Sequence, residues 1–320
     1  MFPTIRKLRS HGARLAACLI LGASAFAQNL VTNSNFEAGN TGFSSDYAFS
    51  ASSNWSEGEY TVRSTPNTFN PFFVNPPPSS PGSSLMLVVN GATVPNQRVW
   101  YTTLAVTAGL TYRLQLAGCT AVYGGPAVLQ WQVAGQLIGT PLPLPTVTQT
   151  WQVSGASWVA PTSGTVEIAI RNLNTSGYPN DFYIDDIFVG PCMSCWSHYG
   201  SGFPGALGIP NLAPSGLPSI GSTIQLEMTS VRATPEFGVL VLGLAAANTQ
   251  TPFGGTLLVA PLATAAQFVP ANPGVSTYPL AIPNDPGLTG LGMFAQFGHM
   301  DSTAAAGIAF SRGLQLVVGH

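Results

Sequence analysis

Two carboxylate-bearing segments and one set of planar polar side chains are the groups in this chain that could do chemistry. The first segment is Asn29-Leu30-Val31 followed by Phe36-Glu37-Ala38-Gly39, and the second, far along the chain, is Asp181-Phe182-Tyr183-Ile184-Asp185-Asp186-Ile187. Each couples an apolar, strand-like run to carboxylates. Paired as the first and last strands of one unit, their ends come close enough to share a cation. Seven of the eight acids between 28 and 190 fall in two clusters, Glu37, Asp46, Glu57, Glu59 and Asp181, Asp185, Asp186, with Glu167 apart. Ca2+ takes about six to eight oxygens from carboxylates and carbonyls, which paired termini can supply. The alternative is that these acids are solvated or cap turns through backbone N–H groups.

The planar groups follow from strand parity, because alternate residues of a strand face opposite ways. Tyr112, Leu114 and Leu116 share one face, with Arg113 and Gln115 on the other. Leu129, Trp131 and Val133 oppose Gln130 and Gln132, and Ile168 and Ile170 oppose Glu167, Ala169 and Arg171. One sheet face is therefore expected to carry Arg113, Gln115, Gln130, Gln132 and Arg171. Guanidinium and amide groups are planar and multidentate, which suits the vicinal hydroxyls of a sugar. An ordinary solvated sheet face reads equally well. Trp131, Trp151 and Tyr112 are expected in the core. Tyr123, in the Ala121-Val-Tyr-Gly-Gly-Pro126 loop, is the aromatic best placed to stand exposed and stack on a pyranose.

Cysteine adds less. Without Cys18 in the leader, three remain, an odd count for an exported chain. Cys192-Met-Ser-Cys195 is first read as a local disulfide. Zinc, with His198 as a third ligand, is short of a closed tetrahedral set. Redox catalysis lacks the helix that normally follows such a motif. Cys119 ends an apolar strand and reads as a small buried residue. Nothing resembles a Gly-x-Ser-x-Gly elbow, and His198, His299 and His320 have no evident triad partners. A carboxylate pair for glycoside hydrolysis would have to be drawn from the acids already placed at the termini. A binding module is the expectation, not an enzyme.

The elements that must position these groups are short strands. Residues 85–89, 97–106, 110–117, 128–133, 150–159, 165–172 and 182–189 read as strands split by Gly and Pro turns, with Asn90-Gly91 a strong turn signal. No long window shows a helical period. Strands at this spacing argue for a sandwich or jelly roll. Gly190-Pro191 ends the unit, and 191–198 reads as a linker. Beyond it, 199–320 is almost uncharged and rich in Gly, Ala, Leu and Pro. It offers strands at 223–229, 238–244, 255–261, 278–282, 292–296 and 313–318, which suit a second, smaller β-sandwich that ends in a strand with no sorting signal or anchor tail.

The amino terminus reads as an address. Arg6, Lys7, Arg9 and Arg14 precede an apolar stretch from Leu15 to Phe26, and Ala25-Phe26-Ala27 is a small-x-small cleavage site. Residues 1–27 are thus expected to be a signal peptide. A lipoprotein reading of Leu15-Ala16-Ala17-Cys18 is disfavoured because the apolar stretch continues past the cysteine. No stretch reaches the ~20 apolar residues of a membrane span. Cleavage leaves six arginines against twelve acids, which suits neither nucleic acid nor anionic lipid. With 45% hydrophobic residues the chain can fill a core, which makes disorder a poor alternative.

Several phrases in 28–190 carry a family resemblance. They are Asn29-Leu-Val31, Phe36-Glu-Ala-Gly39, Phe43-Ser-Ser-Asp-Tyr47, Glu59-Tyr-Thr-Val62, Leu87-Val-Val-Asn-Gly91, Gln97 to Trp100, Thr111-Tyr112, Trp151 and Asp181 to Ile187. In that order they resemble the galactose-binding-like jelly rolls of bacterial exported proteins, which are related to carbohydrate-binding modules. The resemblance implies a two-sheet jelly roll, a structural calcium near the paired termini, and often sugar binding on the concave face or at loop tips. Carried across, Glu37 and Asp185 are the implied calcium ligands, with Asp186 a further candidate. Phrases such as Ala213-Pro-Ser-Gly-Leu-Pro218 and Gly313-Leu-Gln-Leu316 resemble a C-terminal β module common in exported planctomycete proteins, one suited to surface attachment, secretion or assembly. The expectation is a secreted or cell-surface, all-β, non-catalytic protein. Its calcium-stabilised jelly roll would bind a polysaccharide, and its C-terminal module could meet cell-surface components. The alternative is a structural surface or matrix protein that binds no sugar.

Overall fold

The structure is a computed structural model and describes residues 29–319, apart from Asn54, Met193, Ala206, Val231 and Pro273. The leader, its cleavage site and Cys18 lie outside the described residues, as does His320. The architecture is all-β, as the sequence predicts. Among the described residues the first unit contains β1 (Ala48–Phe49), β2 (Glu59–Arg63), β3 (Met86–Asn90), β4 (Arg98–Val106), β5 (Thr111–Thr120), β6 (Val128–Val133), β7 (Gln136–Pro143), β8 (Trp151–Val159), β9 (Gly164–Asn172) and β10 (Phe182–Pro191). They form two sheets, ordered β1-β2-β3-β10-β5-β8 and β4-β9-β6-β7.

The alternation of apolar residues drives the two sheets together. Leu114, Leu116, Ile184 and Val189 from one sheet meet Trp100, Leu129, Trp131, Ile168 and Ile170 from the other in a single core. Trp100 and Trp131 meet edge to face with ring centroids 6.5 Å apart. Ala134 and Gly135, at φ 48° and 80°, turn β6 back into β7 with Val133 opposite Gln136. Two consecutive positive φ values are what a tight hairpin of this hand requires. Pro141 and Pro143 sit in β7, which is the sheet edge, where a missing ladder donor is tolerated.

The amino-terminal segment joins the last strand, as its sequence suggests. Leu30 N donates to Val189 O at 2.7 Å and Ile187 N to Ser34 O at 2.8 Å. Asn29 donates to Ile187 O and accepts from Val189 N. These bonds continue the edge of β10 beyond Ile184, where its pairing with β3 ends, while on the other side β10 slips against β5 at a bulge between Asp185 and Phe188.

The second unit contains β11 (Cys195–Tyr199), β12 (Asn211–Ser215), β13 (Thr223–Thr229), β14 (Glu236–Gly243), β15 (Ala246–Gln250), β16 (Thr256–Val259), β17 (Ala263–Val269), β18 (Val275–Ala281), β19 (Gly292–Met300), β20 (Ile308–Phe310) and β21 (Gly313–Val317). One sheet runs β11-β21-β19-β14-β17, with β20 on β19, and a second runs β12-β13-β18. Residues 195–198, read from sequence as linker, therefore belong with Tyr199 to a strand of the second unit, held by all five of its residues to β21. The units are docked. Trp196 of β11 is 2% exposed, packs in the second core with Val153 of β8 against that core, and lies over Gly155. Arg312 is buried at the same seam and donates to Ser154 Oγ and Val153 O. Burial lowers its guanidinium to about 9.

Candidate functional site

The five planar groups do not share one face. Arg113 and Gln115 lie on β5 of the six-stranded sheet, while Gln130, Gln132 and Arg171 lie on β6 and β9 of the four-stranded sheet. Both sheets turn their apolar residues into the common core, so their polar faces point away from each other. That corrects the expectation of a continuous Arg/Gln surface. Parity assigns a face within a strand but not which sheet the strand joins.

The two outer faces have different fates. On the six-stranded sheet, Phe73 packs over Met86, Val88, Cys119 and Tyr183, and Trp196 covers Gly155. Arg113 is 8% exposed with its guanidinium 4.0 Å from the centroid of Phe188. Burial lowers its pKa to about 10. Gln115 is half-buried and sits between Phe188 and Gly155 in the sheet register. This face is an interior surface.

The four-stranded sheet keeps a polar outer face. The register sets Arg98 beside Arg171 and Gln130, Tyr101 beside Ala169 and Gln132, and Thr103 beside Glu167. Arg98 grips Asp46 side-on through Nε and Nη2 at 2.9 and 2.7 Å, and reaches Glu167 through Nη1 at 2.7 Å. Its guanidinium also lies 3.7 Å from the Tyr101 ring centroid. The hydrogen bond from Arg98 holds the Asp46 carboxyl below the usual carboxylate range. Arg171 donates from Nε to Gln132 Oε1 at 2.9 Å and from Nη1 to Asn96 O at 2.5 Å. Gln130 and Gln132 donate to Gly139 O and Gly135 O. Such cross-bonding fixes the planes of the polar groups before any ligand arrives. Ala169, between Tyr101 and Gln132 in the register, is buried, as are Gln130 and Gln132 at 9% and 6% exposure, so the reachable rim of this face is Arg98, Tyr101, Asp46, Glu167 and Arg171.

Arg98, Tyr101 and Asp46 belong to this face and were missed from sequence. A bulge between Arg98 and Trp100 breaks the alternation, so counting back from the core residue Trp100 puts Arg98 inside. Tyr123 stands elsewhere. It is 63% exposed and borders a cleft between the two units. Trp131 and Tyr112 are in the core as expected, whereas Trp151 is half-buried on the outer side, donating to Pro77 O.

The terminal carboxylates converge on one segment, 79–85. Glu37 accepts from Ser84 N, Leu85 N and Ser84 Oγ at 2.6, 2.7 and 2.8 Å. The Leu85 N–H, then the donors of Ser84, lower its pKa. Asp185 is 1% exposed and accepts from Ser79 Oγ, Ser83 Oγ and Asp186 N. Burial raises it to about 6. Asp186 accepts from Ser80 Oγ at 3.0 Å. Both lone pairs of Glu37 Oε1 are taken by N–H donors and one of Oε2 by the Ser84 hydroxyl, so the Glu37 carboxylate keeps a single acceptor position and does not fit a shared calcium set. Among the described residues no cluster of three or more His, Cys, Asp or Glu side chains could hold a metal. The carboxylates instead stitch the 79–85 loop to both termini.

Cys192 and Cys195 are joined by a disulfide with Cα atoms 5.5 Å apart. His198 is buried, with Nδ1 accepting from Gly155 N at 3.3 Å and Nε2 against Leu212 O at 2.7 Å. Both ring nitrogens are engaged and both thiols are consumed, so the zinc reading of this motif does not fit.

No protein-family model matches the sequence, and no curated protein matches it. Among solved structures, the chain is similar to the CBM22-1 xylan-binding domain of Paenibacillus barcinonensis Xyn10C, at 11% identity and TM-score 0.35, covering 52% of this chain and 95% of that one. The tandem CBM22-1-CBM22-2 fragment of the same protein gives 9% identity and TM-score 0.37, covering 92% and 91%. A sugar-binding protein, the EclA C-terminal domain, gives 21% identity and TM-score 0.28, covering 36% and 90%. At these scores the likeness is loose, and the functional reading rests on the chain's own residues. The described residues contain no helix long and apolar enough to cross a membrane.

Proposed function

We propose that this is an exported, non-catalytic carbohydrate-binding protein that uses the outer face of the four-stranded sheet. The observation that carries the reading is the contrast between the two sheet faces. One is sealed by the 66–84 segment and the second unit, while the other keeps Arg98, Asp46, Glu167, Arg171 and the Tyr101 ring at its surface, with the buried Gln130 and Gln132 amides bonded beneath them. Guanidinium and carboxylate groups of fixed orientation offer paired donors and acceptors to vicinal hydroxyls. Side-chain exposures of 26% for Arg98, 28% for Asp46 and 35% for Glu167 keep these groups within reach. A glycan array probed with the full chain tests the reading. Binding to a defined set of polysaccharides is expected, and silence across plant, algal and bacterial glycans overturns it in favour of a structural surface protein.

A further inference from the structure

The exposed ring of Tyr123 is not part of the sheet face, and the cleft it borders has two unlike owners. Its near wall is the first unit: Tyr123, Asn75, Pro77 and Gln149. Its far wall is the second unit: Leu207 and Asn272. The volume, about 580 Å3, falls within the ~300–1,000 Å3 of small-ligand clefts.

Hydrogen bonds across the seam fix the spacing of the walls. Thr146 N and Oγ1 both donate to Leu207 O at 3.0 Å, and Thr150 Oγ1 donates to Asn272 Oδ1 at 2.7 Å. On the near wall, Gln149 Nε2 donates to Asn75 O, and Gly124 N, next to the ring, donates to Thr146 O. Each amide is thereby oriented by one end while its other end stays available. Among the described residues, neither Gln149 Oε1 nor Asn272 Nδ2 takes part in a hydrogen bond. Thr148, which lines the same cleft, is 3% exposed with its hydroxyl unpaired. An unpaired buried hydroxyl costs free energy, which marks this wall as incompletely satisfied by the fold alone.

No residue lining the cleft is charged. An acceptor on one wall, a donor on the other, an exposed aromatic ring and prolines make a site for a neutral, polyhydroxylated chain. Phosphate, sulfate and uronate would find no counter-charge. We infer that the cleft between the units is a second glycan-binding site, completed by the C-terminal unit. It takes a stretch of neutral polysaccharide with one sugar ring stacked on Tyr123 and hydroxyls bridging Gln149 and Asn272. The inference rests on the carbohydrate reading of the protein, and it assigns the second unit a share in binding.

The test is isothermal titration of the full chain with soluble neutral xylan, mixed-linkage β-glucan and galactomannan, comparing Tyr123→Ala and Asn272→Ala with Arg171→Ala on the sheet face. Tyr123 is largely exposed, so its removal leaves the melting temperature in place. Expected are a roughly tenfold loss of affinity for Tyr123→Ala and a several-fold loss for Asn272→Ala. Wild-type affinity in both cleft variants, with loss in Arg171→Ala, overturns the cleft and leaves the sheet face. Tighter binding of polygalacturonate than of any neutral polymer overturns the assignment of class. Silence of the wild-type chain towards all of them overturns the cleft together with the carbohydrate reading.

Discussion

Replacing Gly155 by alanine is expected to destabilise the protein, although alanine ordinarily improves on glycine inside a strand. A Cβ at Gly155 would lie 2.4, 2.7 and 3.0 Å from Cζ3, Cε3 and Cη2 of Trp196. Unstrained carbon contacts lie at about 3.5–4.0 Å, so the methyl intrudes by roughly 1 Å. The indole cannot swing aside cheaply, because Trp196 packs with Leu212, Leu226 and Leu316 inside the second core. Gly155 N is also committed to His198. Overpacking of this kind costs about 1–3 kcal/mol, against the ~0.4–1 kcal/mol that alanine for glycine gains where it fits. The sign is therefore diagnostic. Urea unfolding followed by tryptophan fluorescence and circular dichroism measures it. In a Trp196→Leu background the same methyl should cost much less, since the ring it strikes has gone, and the two changes will be strongly non-additive. A Gly155→Ala protein as stable as the parent, or more so, would refute the docking of the two units.

Other outcomes follow from the buried acids and the cross-links. Burial raises Asp181 and Asp185 to about 6 each, above their unfolded values near 4, so the folded state binds more protons between these limits and stability falls as pH rises from about 4 to 6. Each contributes at most about 3 kcal/mol. Asp181→Asn should flatten that slope in melting curves, and a slope of the opposite sign would contradict the assignment. Asp46 acts the other way, its stabilisation by Arg98 being lost as pH falls below the ordinary carboxylate range. The Cys192–Cys195 bridge closes a very short loop, so the double Cys→Ser variant should lose only about 2 kcal/mol; loss of folding would show a larger role. Excess EDTA should leave the melting temperature unchanged, because Glu37 and Asp185 already have protein donors. A clear drop restored by Ca2+ would return calcium to the termini.

Much of the fold was legible because the apolar alternation is clean. The strands carrying Leu114, Trp131 and Ile168 were identified with their inward faces, and the pairing of the Asn29 segment with β10 followed from its sequence. What escaped has specific causes. β7 contains two prolines and follows an Ala-Gly turn, neither of which reads as a hairpin. β11 was taken for linker because its cysteine and histidine suggested a motif rather than a ladder. Arg98 was hidden by a bulge that reverses parity. Arg113 and Gln115 were placed with Gln130, Gln132 and Arg171 because sequence records the alternation within each strand but not which strands become neighbours. The donors around Glu37 come from a serine-rich loop 47 residues away, a contact with no local signature.

The sheet face is tested most directly by titrating soluble xylan, mixed-linkage β-glucan and galactomannan into the full chain and its Arg171→Ala form. Arg171 orders Gln132 and is anchored to Asn96, so its loss removes both a charged donor and the alignment of its neighbour, worth about 1.5–3 kcal/mol. Binding of at least one polymer by the parent, weakened tenfold or more in a variant that still unfolds cooperatively and is folded at the temperature of the titration, is the expected result. Equal affinity of the two proteins, or no heat from the parent with any polymer, would contradict it.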